Sequence, residues 1–208
     1  MASILPRWME WAREIQAISQ TGYFYAENDY QRQRYRRLTE IAAEIISEYT
    51  HLDSHELVDL FIHQKGYTTP RVDVRGAVFL DGKILLVRER IDGGWTMPGG
   101  WADVGDIPSE AAEREVLEEA GYRVKASKVI GVYDANRSDP IELFHAFKIV
   151  FLCTIQGGEA QISSETSEVK FFSRDEIPDH FSGERTRQRH IVDAFAAFDD
   201  QQRSTVFD

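Results

Sequence analysis

The pattern of apolar residues changes character at Thr68, and this change constrains the architecture that the chain can adopt. Before Thr68, apolar side chains such as Trp8, Trp11 and Ile15 recur at intervals of three and four residues, which places them on one face of a helix. After Thr68, short runs rich in Val and Ile are separated by turn residues, as strands are. We therefore expect an all-helical unit over residues 1–69 and a unit that mixes strands and helices over residues 70–208.

Three helices are predicted in the first unit. The first should end near Gly22, because glycine is common just after a helix end. The second should begin after Asn28 or Asp29, both of which are good N-cap residues. A third, short helix should end at Gly66.

The charge of the chain limits its partners. A net charge of −11 argues against a protein that coats nucleic acid or an anionic membrane, because such partners require a basic surface. Four arginines on the second predicted helix could bind phosphate, but a solvated face paired with nearby glutamates is the interpretation we favour: Arg32, Arg34, Arg36 and Arg37. Uninterrupted apolar segments of transmembrane length are absent from the sequence, so we expect a cytoplasmic protein with no membrane partner.

Beyond Thr68 the sequence predicts a hairpin, with strands over residues 72–80 and 83–89 joined by the turn Asp81-Gly82. Further strands are predicted over residues 124–133, 146–156 and 169–173, and helices over residues 108–120 and 185–198. Strands and helices do not alternate regularly. This order favours an α+β or layered α/β/α domain in which much of the sheet is antiparallel.

The segment over residues 97–122 reads MPGGWADVGDIPSEAAEREVLEEAGY and carries most of the chemistry. A glycine-rich turn leads into a helix that begins at Pro108, whose fixed φ suits a first helical turn. Along that helix, Glu115, Glu118 and Glu119 have the spacing i, i+3, i+4, so their carboxylates project from nearly the same side. Their repulsion calls for a counter-charge, and oxygen ligands without His or Cys favour Mg²⁺ or Mn²⁺. Taken alone, such a helix is more often a solvated face.

The wider spacing resolves that ambiguity. Gly100, five residues, Asp106, seven residues and then the run REVLEEAGY from Arg114 to Tyr122 resemble the Nudix box, the signature of hydrolases that act on a nucleoside diphosphate linked to another moiety. Where the family has glutamate this chain has Asp106, which keeps the charge on a side chain one methylene shorter. The resemblance implies an α/β/α sandwich with a mixed sheet, here preceded by a small all-helical N-terminal domain.

The resemblance also implies roles for single residues. Glu115, Glu118 and Glu119 match the metal ligands of the family, and Glu118 or Glu119 is also a candidate to polarise the attacking water. Arg114 matches the arginine that orients a box glutamate. The carbonyl of Gly99 and the side chain of Asp103 belong to the expected metal set, while the box itself comprises Gly100, Asp106, Arg114, Glu115, Glu118, Glu119 and Gly121.

Outside the box, the expected site draws on later residues. Glu165 or Glu168 resembles the late acidic residue that completes the metal or base set in many members of the family, and we favour Glu165 because Glu168 abuts a predicted strand. The candidates for substrate binding are Arg75, Arg88, Arg137 and His145.

The helical N-terminal unit resembles the extension of a bacterial Nudix subfamily associated with CDP-choline or ADP-ribose, in which it forms a homodimer and contributes to the substrate pocket. These resemblances together predict Mg²⁺-dependent hydrolysis of such a compound to two monophosphates, with water as the nucleophile. Two alternatives stay open at this point. One is a nucleoside triphosphate or RNA-end pyrophosphohydrolase, and the other is a Nudix-fold sensor that binds a nucleotide without turnover.

Overall fold

The computed structural model describes residues 6–63, 66–135, 145–183 and 185–208. The chain divides into two compact units, Met1–Thr69 and Pro70–Asp208. The first unit consists of α1 (Arg7–Tyr25), α2 (Asp29–Tyr49) and α3 (Ser54–His63). Among the described residues, we find no helix whose length and apolar character would let it cross a membrane.

The prediction that the first helix ends near Gly22 is wrong, because α1 continues to Tyr25. The glycine serves packing instead of helix termination. A Cβ at this position would lie 2.3 Å from Cε1 of Tyr35 on α2, so the absence of a side chain lets the two helices approach. A buried hydrogen bond of 3.0 Å from the Thr39 hydroxyl to the Ser19 hydroxyl joins the same two helices.

The second helix begins where the sequence predicts. The side chain of Asn28 accepts a hydrogen bond of 2.9 Å from the N–H of Gln31, which caps the first turn of α2. On the exposed face of this helix, Arg37 lies 3.3 Å from Glu40 and 2.7 Å from Glu44. These pairs agree with the interpretation of the arginine cluster as a solvated, charge-paired face.

The second unit is built on a mixed sheet. Its strands are β1 (Arg71–Leu80), β2 (Lys83–Glu89), β3 (Trp95–Thr96), β4 (Gly99–Trp101), β5 (Tyr122–Asp134), β6 (Ala146–Gly158), β7 (Thr166–Phe172) and β8 (Val206–Phe207). The strand order is β3-β2-β1-β6-β5-β8, with β4 beside β1 and β7 beside β2. The pairs β1–β6 and β5–β8 are parallel, and the other pairs are antiparallel.

Two helices cover the opposite faces of this sheet, α4 (Pro108–Ala120) and α5 (Gln188–Asp199). Alternation along β1 sends successive side chains to two separate cores. Val74 belongs to the core that contains Val116 of α4, whereas Ala77 belongs to the core that contains Ile191 of α5. The predicted α+β fold, an α/β/α sandwich with a helical region ahead of it, is confirmed.

The strand β1 pairs with different strands along its length, and this change of partner positions the site. Near its start, Asp73, Val74 and Arg75 pair with the short strand β4. Near its end, Phe79 and Leu80 pair with β2. The strands β3 and β4 have two and three residues and are too short to show a period, so the sequence pattern does not predict them.

Candidate active site

A cavity of about 530 Å³ lies in the second unit, next to the start of β1. Its walls come from segments that are far apart in the chain: β1, the glycine-rich turn with β4, the helix α4, and the loops that follow β2, precede β7 and precede α5. The lining residues are Asp73, Arg75, Ile91, Asp92, Gly99, Gly100, Trp101, Glu115, Glu119, Glu165, Ser182, Gly183 and Arg185.

Glycines allow the turn and α4 to come together. Gly99 has a φ of +149°, and a Cβ there would lie 2.0 Å from the carbonyl oxygen of Val74, so no larger residue could bring β4 this close to β1. At Gly100 a Cβ would lie 3.0 Å from Oε2 of Glu115. Gly121 ends α4 in the left-handed conformation at φ 80°, as the sequence predicts.

Glu119 is the most buried of the three helix glutamates, with 7% of its surface exposed. Its Oε2 accepts a hydrogen bond of 3.0 Å from the N–H of Gly99. Burial raises the pKa of Glu119 to about 7; Arg75 and the Gly99 N–H oppose this shift, while the charges of Glu89 and Glu115 add to it. Ionising this carboxyl is therefore costly in the metal-free protein, and a nearby cation would remove the cost.

Arg114 connects acidic side chains of the box through hydrogen bonds. Its Nη1 donates to Oε1 of Glu115 at 2.7 Å, and its Nη2 donates to Oδ2 of Asp106 at 3.2 Å. These charge-assisted bonds orient Glu115 toward the cavity and hold the loop against α4. Glu118 also lies 3.4 Å from Arg114, but its side chain is 58% exposed and does not line the cavity. Asp103 is exposed as well, and its N–H donates to Oδ2 of Asp106.

One wall of the cavity is cationic. The guanidinium of Arg75 binds Asp73 through two hydrogen bonds of 2.9 Å and 2.7 Å. Nζ of Lys148, on the neighbouring strand β6, donates to the same Asp73 at 2.8 Å. All three side chains are almost completely buried. This charge-assisted network holds the guanidinium of Arg75 at the cavity wall in one orientation.

The loop that precedes α5 completes the cavity, and no sequence motif marks it. The prediction that the last helix begins at Arg185 is wrong, since α5 begins at Gln188 and Arg185 lies in the preceding loop. There Nη1 of Arg185 is 2.6 Å from Oε2 of the buried Glu89. The hydroxyl of Thr186 accepts a hydrogen bond of 2.9 Å from the N–H of Met97, which fixes the loop to the glycine-rich turn. No local periodicity signals a contact across 89 residues of chain.

The cavity brings together six of the site residues predicted from the sequence: Arg75, Gly99, Gly100, Glu115, Glu119 and Glu165. It does not include Arg88, whose Nη1 pairs with Oε1 of Glu168 at 2.6 Å between β2 and β7. It does not include His145 either, whose Nε2 lies 3.3 Å from Oδ1 of Asp134. Arg137 lies outside the described residues.

The donor set of the cavity fits a hard divalent cation. Within the described ranges, no three Asp, Glu, His or Cys side chains are grouped so that they could hold an ion by themselves. The cavity does offer the carboxylates of Glu115 and Glu119 and contains no His or Cys among its described lining residues. Mg²⁺ is commonly bound by one or two carboxylates together with waters and substrate phosphates, so this set fits Mg²⁺ better than an enclosed zinc site.

Two known families match the chain. Residues 6–61 match the family described as "UDP-X-like, N-terminal oligomerisation domain". Residues 70–195 match the family described as "NUDIX domain". The first match covers α1, α2 and most of α3. The second covers the strands β1 to β7, α4, most of α5 and the whole cavity lining.

Individual relatives agree with these matches. YjhB of Bacillus subtilis, which is named provisionally as an ADP-ribose pyrophosphatase, is 35% identical over 209 residues, covering 100% of both chains. A crystal structure of an ADP-ribose pyrophosphatase from Streptococcus suis has a TM-score of 0.62 and 36% identity, and the match covers 67% of this chain and 100% of that one. A crystal structure of a UDP-X diphosphatase has a TM-score of 0.63 and 29% identity over 97% of this chain and 98% of its own.

Proposed function

The chain belongs to the Nudix hydrolase family, and from this premise we propose that its cavity hydrolyses the pyrophosphate bond of a nucleoside diphosphate linked to a second moiety. The observation that carries the proposal is the composition of one cavity, in which the carboxylates of Glu115 and Glu119 face the same space as the guanidinium groups of Arg75 and Arg185. A diphosphate needs both kinds of group, since carboxylates bind its cations and arginines bind its oxygens.

The cavity residues would have different roles in hydrolysis. Glu115 and Glu119 would hold Mg²⁺, which supplies charge neutralisation of the diphosphate and a more acidic water. Arg75, already oriented by Asp73, would bind and orient phosphate oxygens. Glu165, which is exposed and lines the cavity, would accept the proton of the attacking water. The water oxygen then bonds to one phosphorus, the bridging P–O bond breaks, and two monophosphates leave.

ADP-ribose is the first substrate to test. The relative that matches along its whole length is named for this activity, and so is the Streptococcus suis structure. A UDP-linked compound is the second candidate, because the likeness to the UDP-X diphosphatase extends over 97% of the chain and thus includes the helical unit. CDP-choline remains a prediction from the sequence resemblance.

The test is an assay of the purified full chain with Mg²⁺ against ADP-ribose, CDP-choline, a UDP-sugar and a nucleoside triphosphate, with the products separated by ion-exchange chromatography. We expect two monophosphates from at least one of the diphosphate compounds, and loss of turnover in Glu119→Gln. Glu110→Gln is the matched control, because Glu110 is exposed on the same helix and does not line the cavity. Release of pyrophosphate from the triphosphate alone, with every diphosphate compound intact, would refute the proposal.

We also propose that the chain is a homodimer joined through its helical unit. The match to an oligomerisation family supports this, and so does a row of apolar side chains on α1. Trp11, Ile18 and Tyr25 follow each other at intervals of seven residues and are 52%, 57% and 63% exposed. Sedimentation equilibrium should give twice the chain mass for the wild type and a lower mass for Ile18→Glu. A wild type that stays monomeric at all concentrations would contradict the proposal.

A further inference from the structure

Trp101 presents a large aromatic side chain to the cavity. It lines the cavity and is 44% exposed, so part of the indole is accessible to a ligand. It is also the one aromatic side chain among the described residues of the cavity wall, where Ile91 supplies a second apolar surface and is 81% exposed. An apolar wall in a cavity that also contains charged side chains is typical of a site for an amphiphilic ligand.

The backbone of Trp101 is held firmly. In the β4–β1 pair Trp101 lies opposite Asp73, and the N–H of the next residue, Ala102, donates to the carbonyl of Val72 at 2.9 Å. Because paired residues in antiparallel strands project to the same face of a sheet, the indole shares its face with Asp73. Arg75 is two residues further along β1 and projects to that face as well.

The ring is oriented by a cation. Cζ of Arg71 lies 5.7 Å from the centroid of the Trp101 ring, which is a cation–π contact. Arg71 precedes Asp73 by two residues on β1 and therefore also projects to this face. The indole is thus a pre-oriented flat surface with the positive charge of Arg71 over one of its faces.

The carboxylates proposed to bind the cations are close to Trp101 in the chain and in space. Gly100, its neighbour, is packed against the carboxylate of Glu115, and Gly99 donates to the carboxylate of Glu119. A nucleotide whose base contacts the indole would have its phosphates next to these carboxylates and their cations.

We propose that Trp101 is the stacking platform for the nucleobase of the substrate. This inference rests on the proposed function and adds the subsite that holds the base. Stacking is tolerant of base identity because every base has a π-face. The platform therefore predicts an enzyme that accepts several bases and binds adenine derivatives more tightly than uracil derivatives, since a purine offers the larger stacking area.

The test compares a ligand that carries a base with one that does not. Calorimetric binding of AMP and of ribose 5-phosphate, both with Mg²⁺, is measured for the wild type, Trp101→Ala and Trp101→Phe. We expect Trp101→Ala to weaken AMP binding by about tenfold or more and to leave ribose 5-phosphate binding unchanged. Trp101→Phe should retain most of the AMP affinity. Val104→Ala is the matched control, because Val104 is fully exposed in the same segment and does not line the cavity.

The outcomes separate the two proposals. If Trp101→Ala keeps the AMP affinity of the wild type, or if it weakens AMP and ribose 5-phosphate equally, the platform is refuted while the hydrolase proposal stands. If the wild type hydrolyses no nucleoside diphosphate compound, the proposed function is refuted, whatever the effect of Trp101→Ala on binding. Thermal unfolding of each variant shows whether β4 has kept its place, and a Trp101→Phe that binds AMP normally shows that the site is intact.

Discussion

Removing the charge of Glu119 should stabilise the metal-free protein at pH 8 and have a much smaller effect on its stability at pH 5. Burial raises the pKa of this carboxyl in the folded chain to about 7, whereas its usual value is 4.5. The folded state therefore binds the proton more tightly than the unfolded state, and stability is lost as the pH rises from about 4.5 to about 7. At 1.36 kcal/mol for each pH unit between the two pKa values, the loss is about 3 kcal/mol. Glu119→Gln is uncharged at every pH, so it avoids this loss.

The assay is thermal unfolding in EDTA at pH 5 and pH 8, for the wild type, Glu119→Gln and the exposed control Glu110→Gln. A difference of about 3 kcal/mol corresponds to roughly 10 °C in Tm for a chain of this size. The glutamine oxygen can still accept the hydrogen bond from Gly99, so the variant keeps its backbone contact. Adding Mg²⁺ should reverse the order at pH 8, because only the wild type offers a second carboxylate to the cation. A variant that is less stable than the wild type at pH 8 in EDTA would refute the reasoning.

Three further predictions concern groups around the cavity. Arg185→Ala removes the cation that lies 2.6 Å from the buried Glu89, so we expect a higher KM and a lower Tm. Arg185→Lys should partly restore both values. An unchanged KM in Arg185→Ala would contradict a role of Arg185 in substrate binding. Thr186→Val takes the acceptor from the N–H of Met97 and should cost about 1–3 kcal/mol in urea unfolding, whereas Thr186→Ser should cost little; equal losses in both would contradict the hydrogen-bond account. Burial lowers the pKa of His190 to about 3 from its usual 6.5. As the pH falls, the unfolded chain therefore binds the proton before the folded chain does, and the protein loses stability between about pH 6.5 and about pH 3. His190→Gln should reduce that slope by about 1.4 kcal/mol per pH unit, and an unchanged slope between pH 6 and pH 4 would show that the histidine is not its source.

Several features of the fold followed from short-range patterns. The helix α4, its start at Pro108 and its end at Gly121 were predictable because capping and backbone preferences act within a few residues. The same kind of local pattern identified the cap of α2 at Asn28. Gly22 shows the limit of local patterns, since a glycine can end a helix or let a neighbouring helix approach. Tyr35 packs against Gly22, and this contact depends on the tertiary structure.

In the candidate site, too, local sequence patterns predict some features and the tertiary structure decides others. The spacing of Glu115, Glu118 and Glu119 on one helix was sufficient to predict a cluster of carboxylates, because the helical period alone places them on one side. Which of them enter the cavity depends on what packs against the helix, and the structure places Glu115 and Glu119 in the cavity wall and leaves Glu118 in solvent. Arg88 and His145 illustrate the opposite case, since their charges are directed to other partners.

By itself, the sequence determined the family, the two-part architecture of helical unit and mixed sheet, and the helix that carries the acidic cluster. All of these depend on periods, caps and spacings within about 25 residues of chain. Only the tertiary structure decided that Arg75, Arg185 and Trp101 share a cavity with Glu119. The β4–β1 ladder and the hydrogen bond from the Met97 N–H to the Thr186 hydroxyl bring these side chains together, and such contacts arise from the folding of distant segments, which no local pattern encodes.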